Sequence, residues 1–226
     1  MGLDEALLES VDERPVLRLY GWSPPGVSLG WFQPVEPFVE LARSVGADLV
    51  RRPTGGGAIH HDDELTFCVV AAPGRDGYPA GTVEAYEWVH GLLADGLEEW
   101  GPRLQPRGPG APLSVRPRDA TLCFADHTAL DLLDDAGRKV IGSAQRRRGG
   151  RVLHHGSLPL SAPALTPDVG SIRKLAGEAV TFDQLAELVA GAFANALGLI
   201  ELVADVPTDD EWSAAEGLAT ERRLDD

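Results

Sequence analysis

The chain has 226 residues, 43% of them hydrophobic and 24% charged, with a formal net charge of −15. This length supports one sizeable core and is short for two domains. The composition is that of a soluble globular protein, and the acidity argues against general binding to a nucleic-acid backbone.

The elements follow in chain order. LDEALLESV (3–11) carries apolar residues at helical spacing. VLRLYGW (16–22) and VSLGW (27–31) read as strands around a Ser-Pro-Pro-Gly turn. PFVELARSV (37–45) predicts a short helix with Pro37 in its first turn. Residues 48–52, AIHHD and 65–71 read as strands, and 82–100 as the longest helix, with Thr82 at its N-cap. The stretch 101–117, rich in Pro and Gly, is a connection and not a domain linker. TALDLL (128–133), a DDAG turn and KVIGSAQRR (139–147) predict a hairpin that turns at Asp135-Ala136 and pairs Lys139 with Leu132. Residues 151–160 add a strand. Two helices carry capping boxes: 181–198, with Thr181 and Gln184 and ending at Gly198, and 208–223, with Thr208 and Glu211. Strands dominate the middle and helices flank them, so the class is α+β around a mixed β-sheet.

Several features point to chemistry. No apolar run is long enough to span a bilayer, and the acidic opening MGLDEALLES is not a signal peptide. The two cysteines, Cys68 and Cys123, lie far apart without metal-like spacing, so a reduced, cytoplasmic setting is expected. RRPTGGGAIHHD (51–62) sets three consecutive glycines beside charge. Glycine lets a backbone approach a ligand closely, and its N–H groups can bind carbonyl or phosphate oxygens. The spacing is neither that of a P-loop nor of a dinucleotide fingerprint. Lys139 is one of only two lysines against eighteen arginines, which suggests a task Arg cannot perform, such as losing a proton. His60–His61 and His154–His155 are adjacent on strands, so each pair points to opposite faces and no metal site is read. Cys68 lies in the apolar run LTFCVV and reads as a core residue. Cys123 has the polar neighbours Asp126 and His127 and reads as reactive, provided that 119–127 folds back towards Lys139.

RRPTGGGAIHHD and GRKVIGSAQRRRGGRVLHHGSLPL (137–160) together resemble the lipoate–protein ligase and octanoyltransferase family, a relative of the biotin ligases. Residues 3–11 and 16–33 resemble its opening helix and first hairpin. The resemblance implies the biotin/lipoate ligase catalytic fold with a tunnel for a C8 acyl chain, as a single domain over 1–226 without an accessory C-terminal domain. It implies that Arg52, Gly55, Gly56, Gly57, Ala58, Ile59 and His61 line the acyl region. Gly142, Ser143 and Ala144 would form the small-residue strand beside the tunnel, His155 and Gly156 would match the family's HHG turn, and Lys139 would meet the acyl carbonyl. TLCFADHTALDLL (121–133) resembles the cysteine-dependent octanoyltransferases, in which Cys123 would form a thioester that the acceptor lysine attacks.

That reading implies no cofactor, acyl carrier protein as donor, and as acceptor a lipoyl-carrier domain, either the glycine-cleavage H protein or a 2-oxoacid dehydrogenase E2. The basic cluster Arg146, Arg147, Arg148 and Arg151 would dock the acidic carrier. The alternatives are an ATP- and Mg-dependent lipoate–protein ligase forming lipoyl-AMP, and a catalytically silent acyl- or carrier-binding protein.

Overall fold

The computed structural model describes residues 1–10, 14–75, 77–108, 129–197 and 202–224. A six-stranded antiparallel sheet runs β1–β5–β9–β8–β7–β6 and a three-stranded sheet runs β3–β2–β4. The large sheet contains β1 (Val16–Tyr20), β5 (Glu64–Ala71), β6 (Gln105–Pro106), β7 (Leu132–Leu133), β8 (Lys139–Arg148) and β9 (Arg151–Pro159). The small one contains β2 (Gly26–Leu29), β3 (Asp48–Arg51) and β4 (Ile59–His61), and there β2 runs parallel to β3 and antiparallel to β4.

The two centre strands β5 and β9 are buried along their whole length. Leu65, Phe67 and Val69 pack with α3 (Thr82–Glu98) and α5 (Phe182–Ala196) on one side. Cys68, Val70 and Leu153 face the other side, against Leu3, Leu7 and Leu8 of α1 (Gly2–Glu9) and Ala215 of α6 (Asp209–Arg222). The small sheet buries Val27, Leu29, Leu49 and Ala58 with Phe38 and Ala42 of α2 (Glu36–Ser44). A short α4 (Ile172–Ala176) precedes α5. No helix among the described residues is long and apolar enough to cross a membrane.

Both capping boxes form, with Thr181 accepting from the Gln184 N–H and Thr208 from the Glu211 N–H. Three sequence expectations differ from the structure. First, β1 and β2 are not a hairpin: β1 pairs with β5, and β2 joins the small sheet, because each strand finds its partner far along the chain. Second, Thr82 is the first helical residue of α3, whose N-cap is Gly81 and which has no side-chain cap. Third, Lys139 pairs with Leu133, and Leu132 with Ile141, because an irregularity in β7 shifts the register. The strand β6 and the helix α4 were not anticipated, and the expected end of α5 at Gly198 lies outside the described residues.

Helix α1 is pinned to the sheet by a buried carboxylate. Asp4 accepts from Arg18 Nη1 at 2.5 Å and from Tyr20 Oη at 2.7 Å. Burial alone would raise its pKa. The N-terminal ammonium, His155 and Arg18 outweigh this and hold it well below the ordinary carboxylate range. Since the folded-state pKa lies below the unfolded value of about 3.9, the stabilisation is complete above that pH and disappears as pH falls through the folded value. Asp4→Asn should therefore lower the melting temperature at pH 7, by on the order of 2 kcal/mol in stability. The gap to the parent protein should close as pH drops below about 4. A gap of constant size between pH 7 and pH 3 would show that the charge of Asp4 is not what holds the helix.

Candidate active site

The glycine loop between β3 and β4 is built around the Arg52 guanidinium, which is buried beneath it. Nη1 donates to the Ser28 carbonyl at 2.9 Å and to Ser28 Oγ at 3.2 Å, and Nη2 to the carbonyls of Gly55 at 2.8 Å and Gly57 at 2.6 Å. The chain must curl tightly to bring those carbonyls onto one cation. Gly56 does so with φ +97°, and a Cβ there would stand 2.9 Å from Arg52 Nη2. From the other side Gly30 abuts the same loop, leaving no room for a side chain, since its Cβ would fall 1.9 Å from the Gly56 carbonyl oxygen. Arg51 braces this turn by donating from Nη1 to the carbonyls of Gly30, Trp31 and Gln33.

Under the loop lies a narrow, mostly apolar cavity of about 40 Å³, between the small sheet and the α1 side of the large one. Ten of the expected residues meet there: Arg52, Gly55, Gly56, Ile59 and His61 from the loop and β4, and Gly142, Ser143, Ala144, His155 and Gly156 from β8 and β9. Gly57 belongs to the loop but not to the wall, and Ala58 is packed in the small sheet's own core. Thr66 and Ser157 also line the cavity and were missed. Strand alternation could have found Ser157, which stands two residues beyond His155 on the same face of β9.

Lys139 begins β8 and is only 2% exposed. Its Nζ lies 3.0 Å from Asp131 Oδ2, and Asp131 is equally buried. The lysine stem lies over Gly142, where a Cβ would be 2.5 Å from Cε and 2.9 Å from Nζ. The amine is thus beside a wall residue of the cavity. Asp131 was not anticipated, because nothing in its local spacing marks it as the partner of Lys139. The position proposed for the nucleophile, Cys123, lies outside the described residues, as do Asp126 and His127. Cys68 is buried beneath α1, and burial, reinforced by Asp4, pushes its thiol well above the ordinary value.

The histidine pairs diverge. His154 faces α3, where Ser143 Oγ sits 2.9 Å from its Nε2 and 2.8 Å from His90 Nε2. His155 faces the cavity, with Nε2 2.7 Å from Thr54 Oγ1 and Nδ1 3.7 Å from Asp4. Burial lowers the pKa of all three rings and favours the neutral form. His61 is held in the wall, whereas His60 faces away and its Nδ1 accepts from the Leu165 N–H at 3.4 Å. Among the described residues no three His, Cys, Asp or Glu side chains gather as metal ligands.

The basic cluster divides. Arg151 does not stand on the surface: it is 9% exposed and donates to the carbonyls of Leu7, Ser10 and Arg14, because strand alternation turns it towards α1. Arg146 donates to the Pro53 carbonyl at 3.0 Å and lies over the Trp31 ring, beside the glycine loop. Arg147 and Arg148 are exposed; Arg147 donates to the carbonyls of Ala80 and Gly81, and Arg148 pairs with Glu9.

This architecture has relatives. The octanoyltransferase LipM of Moorella thermoacetica is 37% identical over 211 residues, spanning 90% of this chain and 73% of that protein. The octanoyltransferase LipM of Kyrpidia tusciae is 33% identical over 255 residues, spanning 100% of this chain and 92% of that one. A bi-partite lipoate protein ligase from Thermoplasma acidophilum shares the fold, with a TM-score of 0.74 at 21% identity over 97% of this chain and 86% of that one. Residues 1–194 match the family described as the lipoyl protein ligase A/B catalytic domain, and the chain belongs to that family.

Proposed function

We propose that the protein is an octanoyltransferase of protein lipoylation, which moves an octanoyl group from a carrier thioester, through a thioester on Cys123, to one lysine of a lipoyl-carrier domain. The observation that carries this reading is the narrow apolar cavity under the glycine loop, with the Lys139–Asp131 ion pair against its wall at Gly142. Two relatives named octanoyltransferase LipM, which align over 90% and 100% of this chain, give the reaction class. Of the two cysteines in the chain, Cys68 is buried with its thiol pushed up, so it is a poor source of thiolate. Cys123 therefore takes the role of nucleophile.

The chemistry needs no ATP or magnesium, because the acyl donor arrives already activated. The Cys123 thiolate attacks the thioester carbonyl, the carbon–sulfur bond to the carrier breaks, and the carrier leaves as its thiol once protonated. The acceptor lysine, as free amine, then attacks the enzyme thioester. An amide forms, the Cys123–acyl bond breaks, and the surplus proton of the amine is removed. The Lys139 cation would steady the thiolate and the developing oxyanion, and the proton would pass through its amine. The donor in this reading is acyl carrier protein. The acceptor is the glycine-cleavage H protein or a 2-oxoacid dehydrogenase E2.

Incubation with octanoyl-carrier protein and no ATP should add one hydroxylamine-labile octanoyl group, seen by intact-mass measurement, and added apo acceptor should remove it. Cys123→Ser should abolish the transfer and Cys68→Ser should keep most of it. Lys139→Arg should lower turnover about as far as Lys139→Ala, roughly the 10²–10⁴-fold typical of a proton-transferring group. Transfer that depends on Cys68, or that requires ATP, would overturn the reading.

Docking of an acidic carrier to a chain of net charge −15 needs a local positive surface, and Arg147 and Arg148 are the exposed members of the cluster. Their field reaches about 8 Å at physiological ionic strength and acts mainly on association. Arg147→Glu with Arg148→Glu should raise KM for the acceptor severalfold and flatten its salt dependence, while acylation by a small soluble thioester is unchanged. Loss of self-acylation at unchanged acceptor KM would place these residues in the fold and not in docking.

A further inference from the structure

The cavity wall contains more polar residues than a hydrocarbon site needs, yet its lining is mostly carbon. One buried group explains the difference. Glu64 opens β5 behind the wall and is 2% exposed. Its Oε1 lies 2.8 Å from His61 Nδ1 and accepts from Thr66 Oγ1 at 2.5 Å, and its Oε2 accepts from Ser157 Oγ at 2.5 Å. His61, Thr66 and Ser157 all line the cavity.

Thr66 and His61 each make one further contact. Thr66 Oγ1 accepts from Trp22 Nε1 at 2.9 Å, and His61 Nε2 lies 2.7 Å from Ser28 Oγ. One face of the His61 ring is covered by the Trp22 indole, stacked at 4.2 Å and 10°. Burial would raise the Glu64 pKa, but His61 and the three hydrogen bonds bring it below the ordinary value. The ionised carboxylate only accepts, so all three neighbours must donate to it. That fixes His61 as the tautomer with its proton on Nδ1 and turns both hydroxyl hydrogens away from the cavity.

We propose that Glu64 is a specificity-determining positioning residue: by drawing the polar hydrogens of His61, Thr66 and Ser157 behind the wall, it withholds three hydrogen-bond donors from the occupant and so selects an acyl chain with an apolar far end over one ending in a hydroxyl. This rests on the reading of the cavity as the acyl site. A chain with a terminal hydroxyl would give up its water and find no donor among these three side chains. An apolar pocket rejects an added hydroxyl by about 100-fold.

Titration calorimetry with octanoate and 8-hydroxyoctanoate tests this without relying on the nucleophile. The parent protein should bind octanoate about 100-fold more tightly. In Glu64→Gln the amide presents N–H groups where a carboxylate oxygen accepted, which releases the Ser157 hydroxyl hydrogen. The preference should fall below about tenfold, and Glu64→Gln with Ser157→Ala should restore it. Ala144→Ser keeps Glu64 and adds a hydroxyl to the wall on another strand, and it too should narrow the preference. If octanoate binds but the preference is unchanged in Glu64→Gln and in Ala144→Ser, the inference fails while the acyl site stands. If both acids bind Glu64→Gln more weakly by the same factor, Glu64 serves the fold alone and the inference fails. If the parent protein binds neither acid, the acyl-site reading fails and takes the inference with it.

Discussion

A buried guanidinium must be surrounded by acceptors, and much of the site follows from that one requirement. Arg52 draws the carbonyls of Ser28, Gly55 and Gly57 onto itself, so the loop curls, the end of β2 closes against it, and a roof forms over the cavity. Each carbonyl left without its donor would lose on the order of 1–3 kcal/mol. The three glycines are then less a flexible hinge than a wrapping for a fixed charge. The roof is held by the same cation that lines the site beneath it.

The large sheet supplies the rest by having two unlike faces. Towards α3 and α5 it is a hydrocarbon core interrupted by the His90–Ser143–His154 contacts. Towards α1 it carries polar groups: Asp4 with Arg18 and Tyr20, His155 with Thr54, and Glu64 with its three donors. The cavity lies on this polar side, beneath the glycine loop and beside the small sheet.

Much of this was legible in the sequence because it is local. Consecutive glycines after two arginines, a rare lysine heading a hairpin, period-two strands and the two capping boxes each carry their meaning within a few residues. Ten wall residues were named from two motifs. What was not legible is non-local. The turn between β1 and β2 looks like a hairpin, and only the competition for partners across the whole chain sends the strands to different sheets. Asp131 is eight positions from Lys139 across a hairpin whose register, shifted by an irregularity in β7, cannot be read from spacing. Arg151 looked like part of a surface cluster because four arginines fall within six positions, yet alternation carries it inward beneath α1.

The crossing of Lys139 over Gly142 bears on entropy. A free lysine side chain samples many rotamers, and fixing it costs about 2 kcal/mol. Here the stem lies flat along its own strand, in the groove left by a missing side chain, with its far end tied to a buried carboxylate. That ordering is completed when the chain folds. Whatever reaction uses this amine meets it already in position, so the same loss of freedom need not recur each time a substrate arrives.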